Sequence, residues 1–177
     1  MRKLTTYEIE QLHDAALKPT IKTPIVVVLE NIRSLHNVGS IFRSADAFNI
    51  QKIFLCGITG IPPHREIQKT ALGATETVDW EFYNHTQDCI SNLKKDNYKI
   101  IAVEQTDQSI DISRLSILPK QSLAFILGNE VNGISAEILE LCDAAVSIQQ
   151  YGDKHSLNVS VAAGIVFFSI LQKLTDQ

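Results

Sequence analysis

A run of five apolar residues, Ile25-Val26-Val27-Val28-Leu29, constrains the fold of this chain more than any other feature. Its β-branched residues predict a strand, and the lack of polar alternation indicates burial on both faces. Strands of that kind lie inside parallel sheets that are covered by helices on both sides. Similar runs over residues 99–103 and 122–127 alternate with segments of helical spacing. The sequence therefore predicts an α/β fold with a mostly parallel, doubly wound sheet.

The other predicted elements continue this alternation. Further strands are predicted over residues 52–56, 77–82 and 144–148, and helices over residues 7–17, 38–48, 67–72, 85–95 and 135–142. The chain has 177 residues, which suits one domain with a sizeable core. We predict a helical extension over residues 1–22 and a single domain over residues 23–177.

Charge and cysteine content limit the class of protein. Residues 1–72 carry 9 Lys and Arg against 6 Asp and Glu, whereas residues 73–177 carry 7 against 14. With a net charge of −4 the chain does not resemble a general nucleic-acid binder, and a polyanion would have to meet the N-terminal half. The three cysteines are far apart and the five histidines lack metal-ligand spacing, so neither a disulfide framework nor a metal site is predicted. Since the N-terminal residues also lack an apolar signal core, we expect a cytoplasmic protein.

A polar stretch directly precedes the most apolar segment of the chain. Residues 148–158 read Ile-Gln-Gln-Tyr-Gly-Asp-Lys-His-Ser-Leu-Asn, and residues 159–171 form a predicted helix that is almost wholly hydrophobic. The uninterrupted apolar run is about half of the roughly 20 residues that span a bilayer, so no membrane anchor is expected. Polar groups beside a buried helix are costly unless each finds a partner, and core packing does not require them. We interpret the stretch as the wall of a site.

Polar residues also cluster after other predicted strands, in residues 30–43 and 128–133. Ligands of parallel α/β sheets bind beyond the carboxyl ends of the strands, so three clusters at one edge indicate a ligand site. Taken singly, several of these residues have an ordinary alternative as turn glycines, a helix cap or a surface charge: Gly128, Gly133, Asn37 and Arg43. The usual glycine-rich motifs of nicotinamide and P-loop sites are absent from the sequence.

Three motifs in these clusters resemble the SpoU (TrmH-type) family of RNA 2′-O-ribose methyltransferases, within the SPOUT superfamily. They are Asn31 with His36-Asn37-Val38-Gly39-Ser40-Ile41-Phe42-Arg43, then Gly128-Asn129-Glu130-Val131-Asn132-Gly133, then Ser156-Leu157-Asn158-Val159-Ser160. Their order and spacing match the family over about residues 24–172. Residues 149–152 depart from it, because many members have Pro-Met and a glycine there.

The resemblance implies a fold, a cofactor, partners and a set of site residues. It implies a deep C-terminal trefoil knot, which general topology rules would not predict, and a final helix buried all round because it is threaded. It implies S-adenosylmethionine as cofactor, tRNA or rRNA as substrate, and a homodimer with the site near the interface. The cofactor contacts implied by position are Thr106, Gly128, Ile148, Ser156 and Leu157. The implied catalytic and supporting residues are Arg43, Asn37, Glu130, Ser156 and Asn158.

The chemistry of ribose methylation limits the role of Arg43. A ribose 2′-OH is a poor nucleophile that must lose its proton, whereas an arginine is effectively always protonated and is a poor base. We therefore interpret Arg43 as a clamp on the target phosphate that stabilises developing alkoxide charge. The alternative, Arg43 as the direct base, would require a neutral guanidine. Asn37 and Asn158 are expected to orient Arg43 or the ribose. Glu130 is expected to hold the arginine or a loop, with a carboxylate bonded to local backbone amides as the ordinary alternative.

Basic residues of the positively charged half are predicted to contact the RNA backbone, with an ordinary solvated surface as the alternative: Arg33, Arg43, Lys52, Arg65 and Lys69. The predicted function is S-adenosylmethionine-dependent methylation of a ribose 2′-OH in tRNA or rRNA. One alternative is a SPOUT enzyme that modifies a base, against which Asn37 and Arg43 argue. The other is a knotted RNA-binding protein without catalysis, against which the intact Arg43, Glu130 and Asn158 argue.

Overall fold

The computed structural model describes residues 1–15 and 22–175 of the chain. The strands are β1 (Thr23–Glu30), β2 (Ile50–Cys56), β3 (Asp79–Tyr83), β4 (Lys99–Val103), β5 (Ile110–Asp111), β6 (Leu123–Leu127) and β7 (Ala144–Ser147). The helices are α1 (Thr6–Ala15), α2 (Leu35–Ala47), α3 (Arg65–Ala71), α4 (Ala74–Thr77), α5 (Thr86–Lys95), α6 (Ala136–Leu139) and α7 (Val159–Thr175), with a 3₁₀ turn at Ile112–Arg114.

These seven strands form one sheet in the order β3-β2-β1-β6-β4-β7-β5, and the neighbouring strands are parallel. The predicted parallel α/β sheet is therefore confirmed. β6 lies between β1 and β4, and β7 lies between β4 and β5, so both insert between strands that precede them in the chain. As a result, the carboxyl ends of β1, β6, β4 and β7 adjoin. The polar clusters of the sequence follow three of these four ends.

Hydrophobic cores cover both faces of the sheet, so the fold is doubly wound as predicted. On one face, residues of α2, α3 and α7 share a core with Ile25, Val27 and Leu29. On the other face, residues of α5 and α6 share a core with Val26 and Val28. All five residues of this run are at most 2% exposed, which confirms a central strand buried on both faces.

The final helix differs from what was predicted. In α7, Val166, Phe167 and Ile170 are buried, but Val161 and Phe168 are 50% and 54% exposed. The expectation of a helix buried all round is therefore wrong for the chain by itself. One face of α7 packs beside α2, and an apolar composition alone does not reveal which faces a neighbouring element covers.

Several shorter elements also differ. The helix predicted over residues 135–142 is only the single turn α6. The short helix α4 ends at Thr77, where a strand was predicted to begin, and β5 lies where no helix or strand was predicted. Elements of two to four residues are too short to show a hydrophobic period. The predicted end of the first helix, at residues 16 and 17, lies outside the described residues. Within residues 1–15 and 22–175, no helix is long and apolar enough to cross a membrane.

Candidate ligand-binding cleft

A cleft of about 560 Å³ opens at the carboxyl ends of β4, β6 and β7. Parallel α/β sheets bind ligands at this edge, and the volume is in the range of small-molecule sites. One wall belongs to residues 128–134, here called the β6 loop, and the other to residues 148–158, here called the β7 loop. The cleft brings together six of the predicted site residues: Gly128, Glu130, Ile148, Ser156, Leu157 and Asn158.

Hydrogen bonds hold the β6 loop along its length. Asn129 and Gly133 exchange backbone hydrogen bonds of 3.0 and 2.9 Å, which close the loop as a tight turn. Asn129 Oδ1 accepts from the N–H groups of Val131 and Asn132, and Asn129 Nδ2 donates to the Asn31 carbonyl at 2.8 Å. Gly133 has a φ of +66°, a left-handed conformation that glycine adopts without strain. Contacts within the chain therefore define the conformation of the loop.

Glu130 joins the β6 loop to the start of α2. Its carboxylate accepts from the backbone N–H groups of Arg33 and Ser34, at 2.9 and 3.0 Å, and from the Asn37 side-chain amide at 2.9 Å. Burial raises the pKa of the Glu130 carboxyl, but the hydrogen bonds to its charged form outweigh burial and leave the pKa below its ordinary value. These contacts hold the loop that precedes α2, and the two backbone amides are not local, because they lie 97 and 96 residues from Glu130 in the sequence.

Asn37 and Asn158 extend this network to the cleft. Asn158 Nδ2 donates to Asn37 Oδ1 at 3.1 Å, so Asn158, Asn37 and Glu130 form a continuous hydrogen-bonded chain. Asn158 Oδ1 also accepts from the Ser160 N–H at 2.8 Å, which caps the start of α7. The N-cap of α2 is Ser34, whose hydroxyl accepts from the Asn37 N–H. Asn37 therefore lies inside the helix, and its interpretation as the helix cap is wrong.

The β7 loop is far more exposed than the β6 loop. Residues 151–158 are all exposed, and Tyr151 is 94% exposed. The middle of the loop is held from outside by Gln105, whose Nε2 donates to the His155 carbonyl at 2.8 Å. The loop does line the cleft, as interpreted from the sequence. The reason given for that interpretation was wrong, because solvent rather than protein surrounds most of its polar groups.

Arg43 and Thr106 do not line the large cleft. Arg43 is exposed on α2 and forms no hydrogen bond or ion pair with any residue that the structure describes. Thr106 lines a smaller cleft of about 270 Å³, which adjoins the large one at Gln105 and Ile148. Its hydroxyl accepts from the Gln108 N–H at 3.3 Å. Thr106 therefore shares a cleft with the predicted residue Ile148, whereas Arg43 lies outside both clefts.

The predicted RNA contacts divide into two groups. Three are exposed and have no ion partner within the described ranges: Arg33, Arg43 and Arg65. The other two already pair with carboxylates, Lys52 with Glu81 at 2.6 Å and Lys69 with Glu66 at 2.7 Å. Lys52 also lies near the start of β2, away from the carboxyl ends of the strands. The exposed arginines are therefore better placed for a polyanion than the lysines.

Two residues that sequence reasoning missed connect the end of β4 to both walls. Glu104 Oε2 accepts from the Ile134 N–H of the β6 loop at 3.1 Å, and Gln105 holds the β7 loop at His155. Both residues line the cleft. The signal that could have found them is their position directly after a buried strand, which also marks the other polar clusters.

The fold and the cleft define a class of protein, an α/β protein with a small-molecule site at the carboxyl edge of a parallel sheet. Apolar side chains of Leu127, Val146 and Leu157 line the cleft beside polar backbone of the β6 loop. In the described part of the chain, no group of His, Cys, Asp and Glu side chains could hold a metal ion. The chain belongs to the SpoU rRNA Methylase family, whose model matches residues 24–168.

Two curated relatives are named as RNA 2′-O-methyltransferases. The chain is 31% identical over 150 residues to the tRNA (guanosine(18)-2′-O)-methyltransferase of Borreliella burgdorferi, covering 85% of this chain and 67% of the relative. It is 31% identical over 143 residues to the 23S rRNA (guanosine-2′-O-)-methyltransferase RlmB of Neisseria meningitidis, covering 81% of this chain and 56% of the relative. The chain thus spans between about half and two thirds of the length of these relatives.

Solved structures have the same fold. An AdoMet-bound rRNA methyltransferase from Sinorhizobium meliloti matches with a TM-score of 0.80 and 27% identity, over 87% of this chain and 58% of that chain. The TrmH/SpoU tRNA modifying enzyme of A. aeolicus matches with a TM-score of 0.79 and 23% identity, over 96% of this chain and 84% of that chain. At this identity the second likeness concerns the fold alone.

Proposed function

We propose that this protein is an S-adenosylmethionine-dependent enzyme that methylates a ribose 2′-OH in tRNA or rRNA. The observation that carries the proposal is the meeting of the second and third motifs in one cleft, with the first motif bonded to it. The hydrogen bond from Asn158 to Asn37 and the one from Asn37 to Glu130 make that connection. Membership of the family, and relatives named as tRNA and rRNA 2′-O-methyltransferases, support the same activity.

The cleft fits the cofactor in size and chemistry. S-adenosylmethionine, when bound, supplies a methyl group on a positively charged sulfur. A volume of about 560 Å³ accommodates a molecule of that size, with apolar side chains for its adenine and backbone groups of the β6 loop for its polar atoms. The AdoMet-bound relative from Sinorhizobium meliloti supports this choice. The proposed contacts are Gly128, Ile148, Ser156 and Leu157, with Thr106 reaching in from the adjoining cleft.

We assign Arg43 to the substrate side of the reaction. Its exposed guanidinium would bind the phosphate beside the target ribose. It would also stabilise the negative charge that develops on the ribose oxygen as the 2′-OH loses its proton. Asn37 and Asn158 would position the ribose, and Ser156 would support them from the same wall. Glu130 would act at a distance, because it holds the start of α2, the helix that carries Asn37 and Arg43.

The RNA would lie across the exposed arginines outside the cleft. Arg33 and Arg65 would contact its backbone together with Arg43, since none of them has an ion partner in the part of the chain that the structure describes. Lys52 and Lys69 remain proposed contacts, but each would have to exchange a protein carboxylate for a phosphate. Their contribution is therefore expected to be smaller than that of the arginines.

Other features of the proposal come from the family resemblance. We propose a trefoil knot in the C-terminal third, which the insertion of β6 and β7 between earlier strands supports. We also propose a homodimer, which would give the exposed Val161 and Phe168 of α7 a partner surface. We further propose an extension over residues 1–22 that is followed by one domain over residues 23–177. The proposed location of the protein is the cytoplasm.

Calorimetry with S-adenosylmethionine tests the cofactor, and the Arg43→Ala variant tests the catalytic assignment. The wild type and Arg43→Ala should bind the cofactor equally, whereas methyl transfer to RNA should be lost only in the variant. Arg114→Ala, which removes an exposed arginine elsewhere, is the matched control and should remain active. If the wild-type protein binds no S-adenosylmethionine, the proposed methyltransferase activity is refuted. If the Arg43→Ala variant still transfers methyl groups to RNA, the proposed role of Arg43 is refuted.

Mass spectrometric mapping identifies the substrate. Methylated riboses are compared in RNA from cells with and without the gene. We expect one tRNA or rRNA position to lose its 2′-O-methyl group when the gene is absent. Loss of a base methyl group instead would favour the base-modifying alternative.

A further inference from the structure

Glu104 follows β4 and lies in the wall of the large cleft. Each carboxylate oxygen accepts one backbone hydrogen bond, Oε1 from the Gln105 N–H at 2.9 Å and Oε2 from the Ile134 N–H at 3.1 Å. A Cβ on Gly133 would lie 2.2 Å from Oε2, so the β6 loop packs directly against this carboxylate. Because a carboxylate has about four acceptor sites, the fixed Glu104 can still accept further contacts.

The cleft carries negative charge without a counter-charge of its own. Its described lining includes Glu104 and Glu130 but no lysine, arginine or histidine. Glu130 is occupied by the amides at the start of α2, whereas Glu104 forms no ion pair within the described ranges. A partly enclosed cleft of this charge attracts cations and repels phosphates.

We propose that Glu104 is a specificity-determining residue that favours the cationic cofactor over its neutral product. This inference rests on the proposed function. Methyl transfer removes the positive charge of the sulfonium and leaves the thioether of S-adenosylhomocysteine. A fixed carboxylate in a partly desolvated cleft stabilises the charged ligand more than the neutral one. Glu104 thereby weakens the hold on the product once the methyl group has left.

Calorimetric titration of the wild type and Glu104→Gln tests the proposal through the ratio of two dissociation constants. We expect the substitution to weaken S-adenosylmethionine binding about tenfold and to change S-adenosylhomocysteine binding less than about twofold. Sinefungin, in which a protonated amine stands near the place of the methylated sulfur, separates charge from the methyl group. It should lose affinity along with S-adenosylmethionine.

Glu104→Asp is the matched variant, because it keeps the charge and shortens the side chain. Both ligands should bind it more weakly than the wild type, with a preference for the cation that is larger than in Glu104→Gln. Equal losses of both ligands in Glu104→Gln, or no preference in Glu104→Asp, would overturn the inference and leave Glu104 as a support of the β6 loop. Neither result touches the proposed function, which fails only if the wild type does not bind S-adenosylmethionine.

Discussion

The two walls of the cleft are built differently. The β6 loop is closed by its own backbone bonds and tied by Glu130 to α2 and by Ile134 to Glu104. In the β7 loop, residues 151–158 are all exposed, and Gln105 holds its middle through one carbonyl. A segment with many such bonds opens only at a high free-energy cost, whereas one with few opens locally. We therefore expect the β6 loop to be rigid before the cofactor binds and the β7 loop to adjust around it.

The largest effect is expected from one methyl group added to the β6 loop. A Cβ on Gly128 would lie 2.3 Å from the Gly133 carbonyl carbon and 2.4 Å from the Ile134 nitrogen. Backbone atoms cannot rotate away as the end of a side chain can. Gly128→Ala should therefore lower the free energy of unfolding by about 3 kcal/mol, measured by urea denaturation with Trp80 fluorescence.

Gly152→Ala makes the same change in the β7 loop. A Cβ on Gly152 would have no atom within 4 Å, and its backbone is not in the left-handed region. We expect the free energy of unfolding to stay within about 0.5 kcal/mol of the wild type. Similar losses in the two glycine variants would contradict the distinction between the walls.

A smaller loss of stability than in Gly128→Ala is expected when the hydrogen bonds between Glu130 of the β6 loop and the start of α2 are removed. Glu130→Ala leaves the N–H groups of Arg33 and Ser34 and the Asn37 amide without this acceptor. Hydrogen bonds to a charged group are worth about 1.5–3 kcal/mol, but water reaches this site, so we expect a loss of about 1–2 kcal/mol. Urea denaturation measures it, with the exposed Glu140→Ala as control. A loss no larger than that of the control would show that the tie contributes no stability.

The same carboxylate should make the β6 loop sensitive to pH. The folded pKa of Glu130 lies below its ordinary value of 4.5, so its stabilisation is fully present above that value and is lost as the pH falls through the folded pKa. The difference in unfolding free energy between the wild type and Glu130→Gln should be constant from about pH 6 to 8 and shrink below about pH 4.5. A difference that widens on acidification would contradict the depressed pKa.

The sequence predicted the two walls unequally well, for a physical reason. The turn at Asn132-Gly133 has a local cause in its own residues, and the sheet edge follows from buried strands. The partners of Glu130 lie 93 to 97 residues away, and nothing local specifies them. In the β7 loop, the polar side chains indicated a site but not their exposure, because exposure depends on which distant segments cover them. The exposed face of α7 escaped prediction for the same reason.

Apart from Gly152→Ala, the smallest effect on stability is expected where Gln105 holds the β7 loop. Gln105→Ala removes a neutral hydrogen bond to the His155 carbonyl, so the free energy of unfolding should fall by less than about 1 kcal/mol. The loop should nevertheless open more often, and trypsin should cleave after the exposed Lys154 about three to five times faster. Gln108→Ala, at an exposed position of the turn that follows β4, is the matched control and should leave the cleavage rate unchanged. If both variants are cleaved at the wild-type rate, Gln105 does not restrain the loop, and the β7 loop owes its position to Asn158 at its far end.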